Sequence, residues 1–178
     1  MTETSKPSLL ARLFGARKDD YAAVRPLWHR LVAIARDKAW YTTGGIADTV
    51  GGRFDAITLV LTLMLLRMEH VEELKLPTVR LTELFVTDMD GQLRESGVGD
   101  IVVGKHIGRL MSVLGGRLGA YRDALAQADD AALTAALTRN VTLIDGADAA
   151  PLATLTRALA HDLAALHDDD ILHGEIVP

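Results

Sequence analysis

The stretch 54-FDAITLVLTLMLLRMEHVEEL-74 decides how this chain folds, because it is apolar on nearly every side before it turns acidic at Glu69, Glu72 and Glu73. A surface helix carries one apolar stripe, whereas a helix that is apolar all round has to be wrapped by other elements. The unbroken apolar part, Ala56 to Leu66, is about half of what a bilayer crossing needs. The stretch therefore predicts a central core helix and not a membrane span.

The flanking segments supply its wrapping. Upstream, Val24, Leu27, Trp28, Leu31, Ile34 and Ala35 recur at three- and four-residue spacings, which predicts one helix from about Asp20 to Tyr41, with Pro26 in its first turn or bending it. Thr42-Thr43-Gly44-Gly45 ends it. IADTVGGRFD, 46–55, then reads as a loop of special geometry, since it adds a second glycine pair within a few residues of the first. Downstream, Pro77 separates the core helix from a stripe of Leu81, Leu84, Phe85, Met89 and Leu93, with Gly97 as its expected C-cap. Asp100 is placed to cap the next helix.

That next helix, starting near Ile101, has an unusual charge pattern. Val103, Ile107, Leu110, Leu114, Leu118 and Tyr121 gather on one side, while Lys105, His106, Arg109 and Arg117 gather opposite as a basic strip. The pairs Gly104/Gly108 and Gly115/Gly119 suit close approach of another backbone. Two shorter amphipathic segments follow, near 129–138 and 148–167, each opened by an aspartate, the second with Pro151 in its first turn.

The expected architecture is all-α, a single-domain irregular bundle of about six or seven helices. Its body should span 20–167, between an N-terminal arm (1–19) and an acidic tail (168–178) that frays. Aromatics at only 4% and the near absence of alternating strand patterns agree with helices. Zero cysteines exclude disulfides, thiolate metal sites and a cysteine nucleophile, and a net charge of -5 argues against general nucleic-acid binding. The arm carries Leu9, Leu10, Leu13 and Phe14 beside Arg12, Arg17 and Lys18, but lacks the features of a secretory signal.

Several catalytic patterns are approached and missed. Gly99 to Lys105 has the spacing of a phosphate-binding loop, but His106 replaces the hydroxyl residue and a helix, not a strand, precedes it. Asp88-Met89-Asp90-Gly91 resembles the aspartyl-phosphatase signature, which needs a strand tip that this helical segment does not offer. The calcium-loop positions after Asp88 are wrong, and the six histidines form no metal-ligand pair at helical spacing. No catalytic residue, metal site or cofactor is expected. What remains is a set of charges beside glycines: Asp48, Arg53 and Asp55; Asp88, Asp90, Arg94, Glu95 and Asp100; Lys105 and Arg117. Two readings stay open for it, a network of caps and ion pairs joining helices, or one polar surface facing a partner.

ADTVGGRFD (47–55), TDMDGQLRESGVGDIVVGK (87–105) and GGRLGAY (115–121), in this order and spacing and followed by 122-RDAL-125, resemble the ubiquinol-cytochrome c chaperone family, assembly factors of respiratory complex III. The resemblance covers roughly 25–126. It implies an all-helical, non-catalytic chaperone that engages newly made cytochrome b near the ribosome or membrane, in some members with a small partner subunit. By position, the family's signature falls on Asp48, Gly52, Arg53, Phe54, Asp55, Asp88, Asp90, Arg94, Glu95, Gly97, Gly99, Asp100, Gly104, Lys105 and Arg117. Arg109 joins these through the basic strip. Leu114-Gly115 stands where the family commonly has an aromatic pair.

These expectations fit together physically. A basic helix face suits ribosomal RNA or anionic lipid without sequence-specific nucleic-acid recognition. A groove beside Phe54, Ile57, Leu61 and Leu65 is the expected seat of an apolar client helix. The expected location is cytoplasmic, peripheral to the inner face of a bacterial inner membrane. The alternatives are a membrane-peripheral adaptor with no complex III client and a phosphatase acting through Asp88 and Asp90.

Overall fold

The computed structural model describes residues 21–95 and 103–176, with side chains described for 21–91 and 108–176. The elements are α1 (Arg25–Ala35), α2 (Lys38–Thr42), α3 (Val50–Met68), a 3-10 turn (Glu72–Leu74), α4 (Lys75–Glu95), α5 (Val103–Leu125), α6 (Ala131–Asn140), α7 (Ala150–Ala164) and α8 (Asp168–His173). Among the described residues there is no β-strand, only one isolated bridge between Ile46 and Leu143.

As its composition requires, α3 is the hub, packed by α1, α4, α5 and α7. Ala56, Leu59, Val60, Leu61, Met64 and Met68 are buried on its different sides. Thr58 and Thr62 are buried with them, and their hydroxyls donate to Phe54 O (2.7 Å) and Thr58 O (2.6 Å) within the same helix. Their polar atoms are thereby satisfied inside an apolar environment.

Two local readings change. The helix expected over 20–41 is broken at Asp37, whose extended backbone (ψ 135°) and side-chain bond to Ala39 N (2.8 Å) restart the chain as α2. Trp40 Nε1 donates to Ile34 O and Tyr41 Oη to Ala35 O, both at 2.9 Å, so side chains accept the role that further helix would have played for the last carbonyls of α1. The loop expected over 46–55 ends early, because Thr49 Oγ1 caps Gly52 N at 3.1 Å and α3 begins at Val50. Replacing Thr49 with Ala should cost about 1 kcal/mol in urea unfolding, the usual value of such a cap.

The acidic end, expected to fray, is part of the bundle. Ile171 and Ile176 are buried, α8 packs on α1, and Arg30 Nε and Nη2 donate to Ile176 O at 2.8 and 2.5 Å. Arg67 ties the turn before α8 to the core helix through Leu163 O, Leu166 O and the Asp168 carboxylate. Its acidic composition hid two apolar anchors and the cations that meet it from elsewhere in the chain. The arm 1–19 lies outside the described residues.

Arg122 of α5 grips Glu69 at the C-terminal end of α3 with Nε (3.1 Å) and Nη2 (2.5 Å), and holds its carboxyl below the usual value of 4.5. A depressed carboxyl pKa contributes stability above the unfolded-state value and loses it as pH falls through the folded-state value. The stability difference between the wild type and Glu69→Gln should therefore shrink as urea unfolding is repeated from about pH 6 down to about pH 3.

Candidate functional site

A recess of about 1320 Å³ opens where α1, α2, the first turns of α3, the middle of α4 and α5 meet. Trp28, Val32, Phe54, Ile57, Met89, Leu110 and Val113 supply apolar wall, and Arg36, Lys38, Arg53, Arg109 and Arg117 line it with cations.

At its base lies a buried charge cluster. Asp55 and Arg117 are each 7% exposed, and Arg117 Nη2 donates to Asp55 Oδ1 at 2.5 Å and to Asn140 O at 2.6 Å. The other oxygen, Asp55 Oδ2, accepts from the N–H (2.8 Å) and hydroxyl (2.7 Å) of Thr142. One carboxylate thus joins α3, α5 and the segment after α6. Arg117 Nε and Nη1 are buried without an acceptor among the described residues, as is the Tyr121 hydroxyl. Burial pushes the Tyr121 phenol far up, so it stays protonated.

Aromatic rings carry the cluster across the wall. The Arg117 guanidinium stands 5.9 Å from the Phe54 ring centre, Phe54 lies 6.3 Å from Phe85, and Phe85 meets Trp28 edge-on at 6.0 Å. Trp28 Nε1 then donates to Asp88 Oδ2 at 2.6 Å. At the rim, Arg53 pairs with Asp48 at 2.6 Å, and the Arg53 guanidinium holds the Asp48 carboxyl below its usual range. Burial and the nearby Asp48 push the Tyr41 phenol up.

The structure brings Asp48, Arg53, Phe54, Asp55, Asp88 and Arg117, spread over three sequence blocks, to one recess, together with Arg109 of the basic strip. Gly52 stands beside it for a steric reason, since a Cβ there would lie 1.9 Å from Ala47 O. Asp90 is partly buried on α4 with an interaction of its own. Gly97, Gly99 and Asp100 lie outside the described residues, as do the side chains of Arg94, Glu95, Lys105 and His106. The backbone at Gly104 and Lys105 is helical, unlike a phosphate-binding loop.

Three expectations are corrected. Arg117 does not share an exposed basic strip with Arg109, because α5 packs against α3, α4 and α6 and its face at Arg117 is enclosed. Among the described residues Gly108, Gly115 and Gly119 receive no close backbone, since a Cβ at each would meet nothing within 4 Å. Of the expected groove, Phe54 and Ile57 face the recess, while Leu61 and Leu65 belong to the core of the hub helix. The sequence reading also passed over Trp28, Arg36, Lys38, Tyr41, Asn140 and Thr142. Trp28 was visible only as one more member of an apolar stripe, and Thr142 had no signal at all.

Asp88 and Asp90 are two residues apart on one α-helix, which directs them to different sides, and Asp88 is engaged by Trp28. A phosphatase pair at a strand tip has no counterpart in this arrangement. Among the described residues no group of His, Cys, Asp and Glu could hold a metal ion, and no helix is long and apolar enough to cross a membrane.

Fold and recess together define an all-helical protein with an open cavity of mixed apolar and charged lining. The ubiquinol-cytochrome C chaperone family profile matches residues 42–178, and the chain belongs to that family. A solved structure described as the crystal structure of the Cbp3 homolog from Brucella abortus is 31% identical, over 94% of this chain and 95% of that one, with a TM-score of 0.76. No curated protein matches.

Proposed function

We propose that this protein is a non-catalytic assembly chaperone of respiratory complex III that holds newly made cytochrome b, and that the recess is its holding surface. The observation that carries the reading is the recess itself, a large concavity with an apolar wall and a charged rim, built around residues of the family signature. A client with membrane-spanning segments is apolar over long stretches and needs a partner for them before assembly. Helix-in-groove docking provides one without chemistry. The charge set beside the glycines serves both ends, since the Asp55 cluster joins helices while Arg53, Asp88 and Arg109 look onto the cavity.

The holding takes place at the cytoplasmic side of the membrane, where exposed cations at the rim suit anionic lipid or the ribosome. A small partner subunit belongs to the same reading. The test is crosslinking of the tagged protein in its host, with photoreactive groups at Ile57 and Val113 in the recess and at the exposed Arg139, which does not line it. Crosslinks to cytochrome b from the recess positions alone are expected. Equal capture from Arg139, or none from the recess, would remove the cavity from the mechanism. Loss of the protein should lower assembled cytochrome b, whereas a membrane adaptor without this client would leave it unchanged.

A further inference from the structure

The charge of the recess runs against the charge of the protein. The chain as a whole carries -5, yet among the described residues the cavity is lined by five cations and three carboxylates, Asp48, Asp55 and Asp88. All three carboxylates are engaged, by Arg53, by Arg117 with Thr142, and by Trp28. Arg36, Lys38 and Arg109 face the cavity with no ion pair among the described residues. Deeper in, the Arg117 charge is met by Asp55, so Arg36, Lys38 and Arg109 are the cations left open to the cavity among the described residues.

Size gives the occupant a shape. A helix about 10 Å across, rising 1.5 Å per residue, fills a cavity of this volume with roughly three turns. We infer that the recess recognises an amphipathic helix whose apolar face carries an acidic side chain, with the apolar face on Trp28, Phe54, Ile57 and Val113 and the carboxylate directed to Arg109 and Lys38. Burying that carboxylate is costly unless it is paired, and the recess offers cations in place. Charge pairing with these cations is what makes the recognition selective, since an amide accepts weaker hydrogen bonds from them and a cation is repelled. This inference rests on the holding function proposed above and names the chemistry that the held segment must carry.

Three capped synthetic peptides of about three helical turns, identical except for Glu, Gln or Lys at the centre of the apolar face, provide the test by calorimetric titration into the full-length protein. The Glu peptide should bind about tenfold more tightly than the Gln peptide, with the Lys peptide weakest. The double variant Lys38→Glu, Arg109→Glu, which changes only exposed side chains, should lose that preference while its circular dichroism and melting stay unchanged. Equal binding of Glu and Gln peptides would overturn the acidic recognition and leave apolar capture standing. Failure of all three peptides to bind would overturn both. Vesicles of phosphatidylcholine with phosphatidylglycerol serve as the competing ligand. If they bind the wild type and not the double variant, while no peptide shows an acid preference, the cations serve a lipid surface and the inference is wrong.

Discussion

Asp55→Ala should lower stability by about 3–5 kcal/mol, because it strands the buried Arg117 guanidinium and removes the acceptor of two Thr142 donors at once. For a chain of this size each kcal/mol moves the melting midpoint by about 2–4 °C, so a fall of roughly 6–20 °C is expected in calorimetry. The pair should behave as a unit. Arg117→Met alone leaves Asp55 buried with only Thr142, whereas Asp55→Leu combined with Arg117→Met replaces both charges with apolar volume and should recover much of the loss. Additive effects of the two changes would show that the cluster is not coupled as its geometry implies. The apolar double variant should fold well and keep the preference for the acidic peptide over the amide peptide, because Lys38 and Arg109 remain, separating stability from recognition.

Adjacent glycines should respond in opposite directions. At Gly52 a Cβ would stand 1.9 Å from Ala47 O, a backbone atom that no rotamer change can move aside. Gly52→Ala is expected to cost at least about 3 kcal/mol, beyond the usual range for overpacking, with the 46–49 segment displaced from the rim. At Gly51 the nearest atom is Thr142 Oγ1 at 3.7 Å, ordinary contact, and the residue lies in the first turn of α3. Gly51→Ala should be neutral or stabilise by up to about 1 kcal/mol through the better helix propensity of alanine. Urea unfolding of the two variants side by side decides the matter, and similar losses in both would mean that the tight crossing at Ala47 is not what holds Gly52.

The family resemblance rests on residues whose physical duties differ, and the structure sorts them. Gly52 answers a steric demand, Asp55 and Arg117 an electrostatic one, and Phe54 and Asp88 connect through the Trp28 and Phe85 rings. Arg109, which comes from the basic strip and not from the signature, has no ion pair among the described residues and lines the cavity. A shared motif therefore marks one place in space rather than one chemistry.

Short-range chemistry was enough for much of this molecule. The all-round apolar run at 56–66 could only be a core helix, Pro26 and Pro151 marked first turns, and Asp129 and Asp148 accept backbone N–H groups at the starts of α6 and α7, at 2.9 Å in both cases. Such features depend on periodicity and on neighbours a few residues away, which a linear reading contains. Long-range packing settled the rest. The burial of Arg117 depends on Asp55, 62 residues away, and on Asn140 O, and neither is announced by the pattern of α5 itself. The acidic end docks because Arg30 and Arg67 wait for its carbonyls and carboxylate on helices far upstream. The cavity exists only where five elements meet. Helix formation is governed by local propensity and period, whereas which charge is paired, and which is left to a ligand, is fixed by distances that no single segment encodes.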